Sequence, residues 1–255
     1  MAPGGPTANI SISASKGSNV SNATYAIADR SILIVGASRG LGHAMAVEFV
    51  LRGWRVLGTV RSAGTPLQTL AAERPDAVEI EALDMTDHDK MRALRDRLAG
   101  RKFDIVFINA GVANAPGDTM AEVSTDEFVH VMVTNVLGAM RALEAFGALV
   151  KRGGVIGVMS SGQGSITNNT NGTNDVYRAS KAALNQAMAS YAGRHLEAGH
   201  AMVLMAPGWI RTELGGPNAP FSVEEAMPQI VDVIIAKQGA TGLHYVDRHG
   251  EAVPW

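Results

Sequence analysis

Tyr177 and Lys181 stand four residues apart in Tyr177-Arg178-Ala179-Ser180-Lys181, a spacing that puts both on one helical face, a turn from each other. A free phenol titrates near 10 and exchanges protons poorly at neutral pH. A neighbouring ammonium favours the phenolate and lowers that value, each unit being worth about 1.4 kcal/mol. Such a pair is suited to general acid/base work, although the same spacing also occurs in amphipathic surface pairs. Ser161 lies sixteen residues upstream, closing the apolar run of Met159-Ser160-Ser161-Gly162. A hydroxyl at the carboxyl end of a parallel strand sits where open α/β sheets bind ligands. Side chains alternate along a strand, so only one of Ser160 and Ser161 faces such a cleft.

A second segment suggests phosphate chemistry. Gly36-Ala37-Ser38-Arg39-Gly40-Leu41-Gly42 follows an apolar strand and opens a helical pattern. Glycines there permit a tight turn and let backbone N–H groups approach a pyrophosphate at a helix N-terminus, where the peptide dipoles favour negative charge. A site for NAD usually carries an acid at the end of the second strand, about 20 residues further on. Here that strand ends Gly58-Thr59-Val60-Arg61-Ser62, and the next acid is Glu73. With the acid missing, Arg61 beside its place and Arg39 in the turn could pair with a 2′-phosphate, pointing to NADP(H) ahead of NAD(H). Two solvated surface arginines are the plain alternative.

These residues need a scaffold, and the periodicity supplies one. Short apolar runs at Ile32-Val35, Arg55-Val60, Val78-Leu83, Ile105-Ile108, Val155-Met159, Met202-Met205 and Leu243-Val246 read as strands. Several are apolar at nearly every position, as strands buried on both faces must be. Amphipathic stretches at Gly40-Arg52, Pro66-Ala72, Asp87-Leu98, Thr125-Val150, Val176-Glu197 and Val223-Ala236 read as helices. The alternation predicts an α/β fold, one doubly wound parallel sheet of about seven strands with helices on both faces. Residues 31–255 form that domain. Residues 1–30, rich in Gly, Pro, Ser, Asn and Ala, read as a flexible extension.

Seven features then stand in one order: Gly36 to Gly42, Leu83-Asp84, Asn109-Ala110-Gly111, Asn135 in Thr134-Asn135-Val136, Ser161, Tyr177 with Lys181, and Pro207-Gly208. In this the chain resembles the short-chain dehydrogenase/reductase family over nearly all of residues 31–255. The segments around Tyr177, Pro207 and Gly250 to Trp255 are similar to the branch that includes C-factor-like and sniffer-like carbonyl reductases. The resemblance implies a Rossmann fold and an oxidoreductase acting on a carbonyl/alcohol pair, the CH–OH group of donors with NAD(P) as acceptor. Tyr177 would be the general acid or base, Ser161 rather than Ser160 the hydrogen-bond donor to the substrate oxygen, and Lys181 the holder of the nicotinamide ribose. Asn135 would position a water that links Lys181 to solvent. The cofactor would rest on Gly36, Ser38, Gly40, Leu41 and Gly42. Asp84 and Met85 would flank the adenine, Asn109, Ala110 and Gly111 would line the adenosine ribose, and Pro207, Gly208, Ile210 and Thr212 would meet the nicotinamide amide. A homodimer or homotetramer through helices Thr125-Val150 and Val176-Glu197 is also implied. Two departures stand out: the interval from Ser161 to Tyr177 is longer than the family's commonest, and Val35 replaces a frequent Thr, removing a hydroxyl that would brace the glycine turn.

Composition narrows the competitors. The 255 residues carry 22 Lys plus Arg against 24 Asp plus Glu, a formal charge of -2, and so no basic field for nucleic acid. No apolar stretch approaches the length of a membrane span. The absence of Cys removes disulfides, thiol catalysis and thiolate metal sites and suits the cytoplasm. The seven His lack metal-ligand spacing, so no metal is expected. Asn9-Ile10-Ser11 and Asn22-Ala23-Thr24 match the glycosylation tripeptide without a secretory leader to give it meaning. A nucleotide-binding regulator of the same fold with little turnover is the main rival, against which the intact Ser161, Tyr177 and Lys181 speak. An epimerase or dehydratase is disfavoured by the short region after Pro207. Substrate specificity is expected in Val112-Glu122, Gly162-Asp175 and Arg211-Val223, loops free to vary on the scaffold.

Overall fold

A computed structural model describes residues 29–114 and 119–255. The reading of residues 1–28 as a flexible extension, with its two glycosylation tripeptides, lies outside the described residues, as does part of the Val112-Glu122 loop. Arg30 already belongs to the fold: its carbonyl accepts the Arg55 amide at 2.9 Å, and its guanidinium lies 4.8 Å from the centre of the buried Trp54 ring.

The chain alternates β1 (Ser31–Val35), α1 (Gly40–Leu51), β2 (Arg55–Val60), α2 (Pro66–Glu73), β3 (Val78–Ala82), α3 (His88–Arg97) and β4 (Phe103–Ile108). It continues with α4 (Thr125–Met132), α5 (Ala139–Phe146), β5 (Val150–Met159), α6 (Asp175–Arg194), β6 (Ala201–Ala206), α7 (Val223–Ala236) and β7 (Gly242–Asp247). All seven strands join one sheet in the order β3-β2-β1-β4-β5-β6-β7, every pairing parallel. The doubly wound sheet expected from the periodicity is therefore present. In β1, Ile32 and Ile34 enter one core with residues of α1 and α7, while Leu33 and Val35 enter the other with residues of α3, α5 and α6. Burial on both faces explains why this strand is continuously apolar.

Local signals fix the helix starts. Thr65 forms a capping box with Gln68 ahead of Pro66 at α2, Asp87 accepts the Asp89 and Lys90 amides at α3, and Ser222 pairs with Glu225 at α7. By contrast, α1 begins at Arg39 with neither a side-chain cap nor an acid in its first turn, which leaves its N-terminal amides available to an anion.

One element differs from its expectation. The single helix predicted over Thr125-Val150 is divided: α4 passes into a π-helical turn, Val133–Gly138, before α5 resumes, and a short 3₁₀ turn then leads to Val150, which starts β5. The π turn holds Asn135, whose side chain is tied to the backbone of Val112. That tertiary anchor is invisible to helical periodicity, and π turns recur at functional sites.

The strand order reverses between β1 and β4, so the turns that leave their carboxyl ends diverge and open a crevice. The candidate site residues come from segments that leave this edge of the sheet. Among the described residues, no helix is long and apolar enough to cross a membrane, and no group of three or more His, Cys, Asp or Glu could hold a metal ion.

Candidate active site

The glycine turn is braced from a neighbouring strand. Gly36 adopts φ +90, and a Cβ there would lie 2.8 Å from the Ala110 amide nitrogen. Gly42 must also be glycine, because a Cβ would run into the Gly36 carbonyl. The Gly36 amide donates to the Thr59 hydroxyl at 2.9 Å and the Ala37 amide to the Thr59 carbonyl at 2.8 Å. The bracing hydroxyl that Val35 lacks is thus supplied by Thr59, buried beside the apolar Val56, Leu57 and Val60 of β2. Its polarity inside that strand was the available signal.

Asn109 closes the other side of the crevice, its amide nitrogen donating to the Gly36 carbonyl at 2.9 Å, while the backbone amides of Asn109 and Ala110 donate to the Val35 carbonyl. The Asn109 Oδ1 is buried without a partner among the described residues, an acceptor beside the turn. Arg39 is exposed and pairs with Glu213, from the segment after β6. Arg61 follows β2 and acts electrostatically on Asp84. The Asp84 carboxylate is held below its ordinary range chiefly by the amide and hydroxyl of Thr86, with Arg61 and Lys90 adding to this. Met85 is buried.

Tyr177 enters in the first turn of α6, and its phenol is hydrogen-bonded to Ser161. The Ser161 hydroxyl accepts the Gln163 amide at 3.1 Å, which leaves its own hydrogen for Tyr177 or a substrate oxygen. Ser160 is buried and spends its hydroxyl on Asn185 Oδ1 at 2.6 Å. Of the two serines, Ser161 is the one at the phenol. The Lys181 ammonium lies 5.7 Å from the Tyr177 ring centre and donates to the Met159 carbonyl at 2.9 Å, so it is pinned to the end of β5.

The electrostatics differ from the simplest expectation. Burial pushes the Tyr177 phenol up to about 12, the Ser161 hydrogen bond only partly offsetting it, and burial pushes the Lys181 ammonium down to about 8. Desolvation penalises the charged form of each group. The phenol is therefore a retained acid rather than the acidified one that its lysine neighbour alone predicts.

Asn135 is a strut. Its Oδ1 accepts the Val112 amide at 2.8 Å, and its Nδ2 donates to the Val112 carbonyl at 2.8 Å and to Ser180 Oγ at 3.0 Å. Ser180 in turn donates to the Tyr177 carbonyl at 2.7 Å. Both amide hydrogens are consumed, so only an oxygen of Asn135 remains for a water beside Lys181. After β6, Pro207-Gly208 leads to the buried Ile210, bridged to Phe221, and to Thr212, whose hydroxyl accepts the Gly215 amide at 3.0 Å. Trp209 is exposed and donates its indole N–H to the Gly215 carbonyl at 2.7 Å.

The family described as short chain dehydrogenase matches residues 30–221, and the chain belongs to it, a family of oxidoreductases. A putative short-chain dehydrogenase/reductase from Burkholderia multivorans, solved with bound NADP, is 56% identical with a TM-score of 0.87, over 89% of this chain and 99% of that one. A carbonyl reductase from Pseudomonas aeruginosa PAO1, solved in complex with NADP, is 34% identical with a TM-score of 0.82, over 89% and 99% of the two chains. The NADPH-dependent pterin aldehyde reductase of Arabidopsis thaliana is 34% identical over 74% of this chain and 78% of its own. The carbonyl reductase branch to which the sequence pointed is represented among these.

Proposed function

We propose that this protein is an NADP(H)-dependent reductase of aldehydes or ketones, catalysing the reversible interconversion of a carbonyl and its alcohol with Tyr177 as the acid or base. The observation that carries this reading is the convergence of the Tyr177 phenol, the Ser161 hydroxyl and the Lys181 ammonium at the end of β5. The NADP bound by the Burkholderia and Pseudomonas proteins supports the cofactor.

The residues present fit a dinucleotide. The uncapped start of α1 and the unpartnered Asn109 Oδ1 are polar groups awaiting a ligand. Gly36, Ser38, Gly40, Leu41 and Gly42 would hold the pyrophosphate, and Arg39 and Arg61 the 2′-phosphate. Asp84 and Met85 would enclose the adenine, Asn109, Ala110 and Gly111 the adenosine ribose, and Tyr177 and Lys181 would meet the cofactor at the second ribose. Pro207, Gly208, Ile210 and Thr212 would meet the carboxamide. When bound, the reduced nicotinamide supplies the hydride. The Ser161 hydroxyl donates to the substrate carbonyl oxygen and stabilises the charge that develops there. Tyr177 gives that oxygen its proton, and the Lys181 ammonium steadies the phenolate left behind until solvent reprotonates it. Oxidation runs the same steps backward. Such a reaction belongs with a cytoplasmic NADPH pool. Turnover of NADPH with a panel of simple aldehydes and ketones tests the reading; a protein that binds NADPH and reduces none of them would be a nucleotide holder instead.

Cofactor choice has its own test. Arg39 must leave Glu213 to meet a 2′-phosphate, and each charge-assisted contact contributes about 1.5–3 kcal/mol. The double substitution Arg39→Ala, Arg61→Ala is expected to weaken NADPH binding by about 100-fold and NADH by less than about threefold, by fluorescence titration. Equal losses would show that neither arginine reads the phosphate.

We also propose a homodimer or homotetramer contact through α6 and through α4, the π turn and α5, where Val129 and Leu137 are exposed and Met132, Val133, Val136 and Met140 line an apolar groove. Leu137→Glu would put a charge into that contact. Sedimentation is expected to show a smaller species than the wild type, and an unchanged mass would place the contact elsewhere.

A further inference from the structure

The backbone that carries Ser161 is held by residues far away in the chain. The Ser161 carbonyl accepts two hydrogen bonds, from the Gly164 amide at 2.9 Å and from the Tyr245 hydroxyl at 2.6 Å. Tyr245 lies on β7, two strands from β5, and its reach across the end of β6 is secured by the C-terminal residues. The segment after β7 turns back at Asp247, whose carboxylate accepts the His249 and Glu251 amides. An antiparallel bridge between Val246 and Ala252 then returns the chain along β7. The Val253 amide donates to the Tyr245 carbonyl at 2.9 Å. That course brings the Trp255 ring against the Tyr245 ring, tilted by 45° with centroids 5.2 Å apart.

Trp255 also grips the loop after Ser161 directly. Its carbonyl accepts the Ser165 hydroxyl at 3.2 Å and the Thr167 amide at 3.0 Å, and Ser165 Oγ accepts the Asn168 amide at 3.1 Å. From below, the buried Asn185 of α6 donates to the Gly164 carbonyl at 3.3 Å. The long interval between Ser161 and Tyr177 would otherwise leave Ser161 at the root of a free loop, and a serine displaced by about 1 Å loses much of its effect on a reacting oxygen.

We propose that Tyr245 and Trp255 are positioning residues for the Ser161 hydroxyl, a clamp that fixes the first turn after β5 so that the serine meets the carbonyl oxygen. Neither residue is hydrogen-bonded to the Ser161 hydroxyl or the Tyr177 phenol, although the Tyr245 phenol adds a repulsive electrostatic effect at Tyr177. The inference rests on the reading of Ser161 as donor to the substrate carbonyl in a reductase.

The test uses the full chain with Tyr245→Phe, Trp255→Ala and Trp255→Phe, in the wild-type and Ser161→Ala backgrounds. Tyr245→Phe and Trp255→Ala are expected to lower kcat by about tenfold with NADPH affinity unchanged, and Trp255→Phe, which keeps a ring on Tyr245, to recover most of the loss. In the Ser161→Ala background Trp255→Ala should cost nothing further, because the group being positioned is gone. Amide hydrogen exchange at residues 162–168 should quicken by about tenfold or more in Tyr245→Phe, and exchange in α1 should not change. Unaltered exchange, or losses that add to that of Ser161→Ala, would overturn the clamp. Exchange is read without turnover, so a wild type that reduces no carbonyl would overturn the reductase reading and leave the exchange result to judge the contact by itself.

Discussion

Tyr177→Phe is expected to abolish carbonyl reduction while leaving NADPH binding nearly intact. The substitution removes one oxygen and keeps the ring, so the packing that sets the start of α6 survives. What disappears is the proton donor, whose loss costs about 100- to 10,000-fold for a positioned general acid. NADPH affinity should stay within about twofold, because the substitution leaves in place the glycine turn, the two arginines, Lys181 and the other groups proposed to hold the cofactor. With burial holding the phenol up to about 12, the acid is loaded throughout the neutral range, and reduction should show no acid-supply limit there. Turnover near the wild-type rate in this variant would remove Tyr177 from the chemistry.

The second large effect combines activity with stability. Lys181 is buried, and its ammonium is pushed down to about 8 from the ordinary 10.5 by desolvation. Between those values the unfolded chain binds more protons than the folded one, so stability rises with pH across about 8 to 10.5. Below 8 the cost of the buried charge is borne in full, on the order of 1 to 3 kcal/mol. Lys181→Met removes that charge in a side chain of similar length. At pH 7 it is expected to raise the midpoint of thermal unfolding by about 2 to 6 °C, after losing a little from the Met159 carbonyl left without its donor. The gain should shrink as the pH rises past 8, where the wild-type lysine sheds its proton. The same substitution should reduce turnover by about 100-fold or more and weaken NADPH, since the ammonium is proposed to meet the ribose. A lower unfolding midpoint at pH 7 would mean that the ammonium is stabilised by the fold rather than tolerated for function. Gains in stability at the expense of activity are common where a site stores unfavourable charge.

Much of the scaffold was legible because its rules are local. The β1 run Ile32 to Val35 is buried on both faces and is apolar throughout, and the amphipathic period placed the helices that follow the strands. The dinucleotide turn could be read from its glycines, and the Tyr177–Lys181 pair from a helical spacing. What escaped depends on residues far apart in sequence. The π turn holds Asn135, whose hydrogen bond to Val112 spans 23 residues. The choice between Ser160 and Ser161 is made by Asn185, 25 residues from Ser160. Thr59 takes over a bracing role that the turn's own sequence lacks. Tyr245 reaches Ser161 across 84 residues. The pKa of Tyr177 is the instructive miss: a sequence shows the charged neighbour, whereas desolvation requires the assembled core, and here desolvation is the larger effect.

The central claim, that the Tyr177 phenol moves the proton, is tested most directly by changing its acidity without changing its place. Incorporating a fluorinated tyrosine at position 177 lowers the phenol pKa at almost constant shape. In alcohol oxidation, where the phenolate is the base, the pH at which kcat/KM rises is predicted to fall by the same amount as the phenol pKa. A profile that stays where it was would show that another group carries the proton.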